Sequence, residues 1–305
     1  MKNRQNGIHS SDSGENIMFV RKMEVDDLEE IIILDMKCFK RPEKKKIERV
    51  SELFYLSKGY SYVGIENGKI IAYVFTHLFG STASIGPIGV REEERNRGYG
   101  KELLSKTIDY IKDIGVERVY LEVLPDKIYN LAFYSKAGFK MDSQVIQMSL
   151  SVNDDYNIQA DYLSGDQIDN NELKVFLDQI EHDNSGFSYA LDILSALEQD
   201  PSKTVFIRKN GQILGFLCTY FAAYDYVFGY LDKNVSDQEF LGLYKMVCCQ
   251  NNKETIPIRM CATDSRIEYL LSQKGLLEKL LIRMVFYCKP DKETKCNHII
   301  RSFIG

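Results

Sequence analysis

The chain has 305 residues, enough for about two domains of ordinary size. It carries 39 basic and 44 acidic residues, a formal net charge of −5, and 44% of it is hydrophobic. That balance excludes bulk disorder, and it offers no domain-wide basic excess for wrapping nucleic acid, although a small cationic substrate stays open.

The first fifteen residues are polar and lack the apolar core of a signal peptide. Phe19-Val20-Arg21-Lys22 reads as a strand, and Asp26 to Ile32 opens a helix with acids in its first turn, where the dipole favours them. The basic run from Lys40 to Arg49 reads as a solvated helix face. Between Tyr62 and Phe75, Asn67-Gly68 separates two alternating apolar runs, a strong hairpin signal.

Ala83 to Val90 is a further strand, and Pro87 requires it to be interrupted, bulged or splayed from a neighbour. Arg91 to Gly100 is a charged loop. Lys101 to Lys112 is a helix with Leu103, Leu104, Ile108 and Ile111 on one face. Val116–Val123 is a strand, Tyr129–Lys136 a short helix ended by Gly138, and Gln144–Leu150 a closing strand. The order predicts an α/β layer fold on a mixed sheet.

The second half repeats the first faintly. Asn67 to Val74 matches Asn210 to Leu217, and Phe133 to Phe139 matches Leu270 to Leu276, at offsets of 143 and 137 residues (67 to 210, 138 to 275). One fold occurring twice is the expectation, with domains at 17–152 and 153–305 and a linker from Asp154-Asp155-Tyr156 to Gly165. The apolar stretch Phe216–Leu231 is broken by Asp225 and too short to span a membrane; it reads as two strands turning at Tyr224-Asp225.

Seven cysteines (Cys38, Cys218, Cys248, Cys249, Cys261, Cys288, Cys296) form no Cys-x-x-Cys pair, and four histidines (His9, His77, His182, His298) are scattered. This speaks against a disulfide framework or a metal site and for a reducing compartment. The expectation is a soluble, cytoplasmic protein with neither a membrane nor a nucleic acid as partner.

The informative segment is Arg95-Asn96-Arg97-Gly98-Tyr99-Gly100, followed by Lys101 and an amphipathic helix. Glycines let the backbone turn tightly and approach a ligand, and the helix start aims amide donors at the same place. With Arg95, Arg97 and Lys101 this makes an anion site suited to a diphosphate. Alone, such a loop is equally an exposed cap on a surface helix. Its spacing is neither that of a P-loop nor that of a dinucleotide fold.

Arg-x-x-Gly-x-Gly after a strand is followed by Asn130, Ala132, Tyr134, Gly138 and Phe139, with one residue fewer between Asn130 and Ala132 than the usual Asn-x-x-Ala. Together these resemble the GCN5-related N-acetyltransferase (GNAT) family over roughly Ile17 to Leu150. The resemblance implies an enzyme using acetyl-CoA as cosubstrate, with no metal. It places the diphosphate on Arg95 to Lys101 and the pantetheine arm in a splay between Ile85–Val90 and Val119–Val123. There it would pair with backbone around Ile88 and Val90, near Asn130.

The same resemblance places Tyr134 near the thioester sulfur. A thiol titrates near 8.5 and tyrosine near 10, so a tyrosine hydroxyl can hydrogen-bond or protonate a departing thiolate. Tyr134 is otherwise a packed aromatic. Glu122 and His77 are candidate bases for the acceptor amine, and a water chain or an unprotonated amine needs neither. The acceptor is a small-molecule or peptide amine, and the oligomeric state is undetermined by sequence.

The matching stretch of the second half, Asp232 to Leu243, has no Gly-x-Gly and carries three acids, and Leu271 stands in the place of Tyr134. The resemblance then implies a tandem arrangement with a degenerate C-terminal copy. Its aromatic run (Tyr220, Phe221, Tyr224, Tyr226, Phe228, Tyr230) reads as core and interface rather than a substrate platform. The rivals to a transferase are a non-catalytic acyl-CoA sensor or interaction module, and a site for a different phosphate ligand.

Overall fold

The computed structural model describes residues 18–151, 160–219 and 226–289, with the backbone of Ile299 and Ile300. Asp154 to Tyr156, Tyr220, Phe221, the turn at Tyr224-Asp225, Cys296, His9 and His298 lie outside the described residues. The first half runs β1 (Phe19–Lys22), α1 (Leu28–Cys38), α2 (Ile47–Leu56), β2 (Tyr62–Glu66), β3 (Lys69–Phe79) and β4 (Thr82–Val90). It continues with α3 (Tyr99–Asp113), β5 (Arg118–Val123), α4 (Ile128–Lys136) and β6 (Lys140–Ser149).

Local chemistry accounts for these boundaries. Asn67 and Gly68 both take positive φ (51° and 74°), as a two-residue hairpin turn between twisted strands requires. The β3–β4 register shifts between Val74 and Thr76, opposite the Gly86-Pro87 bond. The α3 helix buries Leu103, Leu104, Ile108 and Ile111, the face expected from the sequence. It begins at Tyr99, so Gly100 and Lys101 belong to its first turn.

The basic run differs from its expectation. Residues 40–46 precede α2, and Arg41 and Lys45 reach back to the carboxylate of Asp35 at 3.0 and 3.1 Å. Asp35 is buried and also accepts from the Tyr73 hydroxyl at 2.7 Å. A buried carboxylate needs such partners, and the run supplies them.

The second half runs β7 (Asp161–Ser164), α5 (Asn170–Asp183), α6 (Ala190–Gln199), β8 (Thr204–Lys209), β9 (Gln212–Thr219) and β10 (Val227–Leu231). Then come α7 (Asp237–Gln250), β11 (Ile258–Cys261), α8 (Arg266–Ser272) and β12 (Leu276–Tyr287), the element order of the first half again. Asn210 and Gly211 repeat the positive-φ turn at 52° and 76°. A short β13 (Ile299–Ile300) follows.

All strands join one sheet in the order β1-β2-β3-β4-β5-β12-β6-β11-β10-β9-β8-β7. The closing strands are exchanged: β12 lies between β5 and β6, and β6 lies between β12 and β11. Along β12, Ile282, Met284 and Phe286 pack against the α3–α4 core, while Val285 and Tyr287 join the core under α5 and α6.

Two gaps open in this sheet. Parallel β4 and β5 pair only over Thr82–Ser84 and Arg118–Tyr120 and then separate. Parallel β10 and β11 pair only at Val227 and Ile258. Because β9 occupies one edge of β10 from Val227 to Leu231, the pairing of β13 with Gly229 and Tyr230 must use the edge that faces β11. The second gap is therefore filled by the chain itself.

Burial pushes the phenols of Tyr62, Tyr134, Tyr162 and Tyr230 up to about 12. An unfolded chain ionises its tyrosines near 10, so between the two values the unfolded state loses protons that the folded state keeps. Stability is expected to be fully present below about pH 10 and to fall as pH rises through about 12. A thermal midpoint that stays flat across that window contradicts this.

Candidate active site

The β4–β5 gap opens into a cavity of about 690 Å³. The Arg91 amide bonds the Ile71 carbonyl of β3, and alternation along β4 then turns the N–H and C=O groups of Ile88 and Val90 away from β3, toward the gap. The Val90 carbonyl already accepts from the Cys38 thiol and from Arg95 Nε, both at 3.2 Å. A ligand amide at that carbonyl must share it with them. Burial pushes the Cys38 thiol up, and Arg95 opposes the shift.

At one end of the cavity stands the start of α3. Gly98 takes φ 88°, and no atom lies within 4 Å of where a Cβ would be. The first helix-closing bond is Glu102 N–H to the Gly98 carbonyl, and no side chain caps this terminus. The amides of Tyr99, Gly100 and Lys101 thus have no helical acceptor and carry the positive end of the dipole.

Arg95, Asn96, Gly98, Tyr99, Gly100 and Lys101 line the cavity. Arg97 does not: it pairs with Glu94 and lies 3.7 Å from Glu66. The Tyr99 hydroxyl is engaged too, donating to Glu66 at 2.6 Å, so Tyr99 offers its backbone rather than its side chain.

Asn130 and Tyr134 sit one turn apart on α4, and both line the cavity. Tyr134 is 9% exposed, with its ring packed edge-on against Phe133 and Phe139. Its hydroxyl has no hydrogen-bond partner among the described residues. With burial holding its pKa at about 12, Tyr134 stays a proton donor across neutral pH.

Glu122 lines the cavity from β5, with only 1% of its side chain exposed. Arg283 on β12 holds one carboxylate oxygen at 3.0 Å, and Arg259 on β11 lies 3.6 Å from the other. His77 stands outside the cavity; its Nε2 lies 2.9 Å from Asp192 on α6. Arg259, Lys279 and Leu281 of the second half also line the site. Sequence reading missed them because nothing local marks a strand that will cross into the other half's sheet.

The start of α7 differs from that of α3 in carrying a side-chain cap. Ser236 Oγ accepts from the Glu239 amide at 3.3 Å, and the Glu239 carboxylate accepts from the Ser236 amide at 2.7 Å. This capping box occupies the Glu239 amide, third in the helix, whereas the third amide of α3, that of Lys101, has no side-chain cap, and it sets a carboxylate at the helix start. Among the described residues, no cluster of three or more His, Cys, Asp or Glu could hold a metal, and no helix is long and apolar enough to cross a membrane.

Residues 28–139 match the acetyltransferase (GNAT) family. Over 90 residues, 29% of this chain, the sequence is 27% identical to the uncharacterised N-acetyltransferase YvbK of Bacillus subtilis, covering 58% of that protein. Over 89 residues, 28% of this chain, it is 29% identical to the ribosomal protein bS18-alanine N-acetyltransferase of Escherichia coli K12, covering 60% of it. The chain thus spans less than two thirds of the length of these curated relatives. A putative acetyltransferase from Pyrococcus horikoshii shares the fold at a TM-score of 0.70 and 14% identity, over 99% of this chain and 98% of that one. The part of the chain similar to the GNAT family, residues 28–139, thus holds the hairpin, the glycine loop, the β4–β5 gap and α4.

Proposed function

We propose that the chain is an acetyl-CoA-dependent N-acetyltransferase that transfers an acetyl group directly to an amine in a ternary complex. The observation that carries this reading is the uncapped start of α3 opening onto the same cavity as the Tyr134 hydroxyl, which has no hydrogen-bond partner among the described residues. Open space and positive φ at Gly98 fit a diphosphate resting on the amides of Tyr99, Gly100 and Lys101, with charge from Arg95 and Lys101. Arg97 acts from further out. Ile88, Val90 and Asn130 line the path of the pantetheine arm.

Acetyl-CoA, when bound, supplies the thioester. A nitrogen–acyl bond forms, the carbon–sulfur bond breaks, one proton leaves the nitrogen and one is taken up at sulfur. Tyr134 donates its hydroxyl to that sulfur. Both oxygens of Glu122 face guanidinium groups, which favours an amine that arrives unprotonated, or gives its proton to water, over Glu122 as the base.

The two halves, 17–152 and 153–305, are in this reading two copies of one fold, of which the second has no CoA site. The recurring element order and the Asn-Gly turns support the first point. The capping box at α7, β13 in the β10–β11 gap and Leu271 in the place of Tyr134 support the second.

Calorimetry tests the cosubstrate. CoA is expected to bind at least about 100-fold more tightly than pantetheine, which lacks the diphosphate and nucleotide. Absence of CoA binding overturns the reading.

A further inference from the structure

The cavity reaches both faces of the sheet. Leu121 and Val123 pack into the core beneath α3 and α4, whereas Tyr120 packs into the core beneath α5 and α6. Alternation along β5 therefore points Glu122 to the α5–α6 side. The register carries that side onward: Arg283 is opposite Glu122, Lys279 opposite Gln147, and Gln147 opposite Arg259. The phosphate loop and Tyr134 thus approach the gap from one face, and a cluster from the second half approaches it from the other.

The cluster has an uneven charge. Arg259 donates Nε to Gln147 at 2.7 Å and stacks over the Tyr226 ring at 4.6 Å. Gln147 donates in turn to Glu278 at 2.6 Å. Glu122 is answered by Arg283 at 3.0 Å, closer than Arg259. Lys279 lines the cavity and has no ion pair among the described residues. Arg259 and Lys279 thus line the cavity beside a carboxylate, Glu122, whose nearer guanidinium is that of Arg283. The diphosphate accounts for Arg95 and Lys101, at the α3 end, and leaves this second positive group unexplained.

Resting on the acetyltransferase reading, we propose that the acceptor is a small amine that also carries a carboxylate, an amino acid or close analogue. Its carboxylate would be held by Arg259 and Lys279, with its amine turned toward Tyr134. The chemistry favours this over a polyamine, whose extra charges would meet guanidinium and ammonium groups in a partly desolvated cavity. Size points the same way, since about 690 Å³ must admit the pantetheine arm as well as the acceptor.

Thiol release from acetyl-CoA should be followed with three series: amino acids, their primary amides, and di- and polyamines. The expected result is a kcat/KM about tenfold or more higher for acids than for the matching amides, and polyamines poorer still. Lys279→Met, a change at an exposed residue, should shrink the acid-to-amide ratio about fivefold through KM. Arg259→Lys should shrink it as well, a ratio that a purely structural role for Arg259 would leave in place.

Amides or polyamines that match the acids, or a ratio unmoved by Lys279→Met, overturn the proposal while leaving an acetyltransferase standing. No thiol release with any of the three series overturns it too, and CoA binding measured alongside shows whether the cosubstrate reading falls with it.

Discussion

Tyr134→Phe is expected to lower kcat about 100-fold while leaving the dissociation constant for CoA within about twofold. The substitution removes one hydroxyl and keeps the ring that packs against Phe133 and Phe139. Since that hydroxyl has no partner among the described residues, its loss leaves no buried group stranded, and the thermal midpoint should barely move. Burial holds the phenol at about 12, so the parent's kcat profile should show no descending limb from this group below about pH 11. Steady-state rates beside calorimetry with CoA decide the matter, and an unchanged kcat removes Tyr134 from the mechanism.

The second large effect concerns the halves. A chain ending at residue 152, the boundary proposed between the halves, is expected not to fold to a cooperative monomer. Without β12, the core under α3 and α4 loses Met284, which is fully buried, and the flanking Ile282 and Phe286. The β5 edge from Arg118 to Val123 loses its antiparallel partner and becomes a template for aggregation. Glu122 loses both arginines together with the layer of the second half that covers it. Circular dichroism melts and size-exclusion chromatography of the fragment test this; a sharp melt from a monomeric fragment contradicts it.

Much of the first half is legible in sequence because its signals are local. Asn67-Gly68 announces its hairpin, Pro87 its irregular strand, and the Leu103–Ile111 periodicity the buried face of α3. Among the residues that line the gap, Arg95, Asn96 and Gly98 to Lys101 are marked by the glycine loop, and Ile88, Val90, Asn130 and Tyr134 only by the family resemblance. The partners of Glu122 did not, because Arg283 lies 161 residues away and reaches it only through strand exchange. The alternation of β6 and β12 is equally compatible with pairing inside either half, so no pattern in the chain chooses between them. The ion pairs of the basic run are hidden for the same reason: their partner, Asp35, is set by packing rather than by helical spacing. Ser236-x-x-Glu239, by contrast, is a capping-box pattern that the sequence itself displays.

The filling of one gap by β13 and the opening of the other has a thermodynamic consequence. The second half satisfies the far edge of β10 from within the chain, at an effective concentration set by the tether rather than by a solute. The first half leaves the corresponding edge to whatever binds there, so its folding free energy rises with ligand concentration by mass action. Because β6 and β12 cross between the halves, that gain is not confined to the half that binds. CoA titrated into the whole protein is expected to raise the midpoint of one shared transition rather than split it in two, so that the second half melts on the first half's schedule.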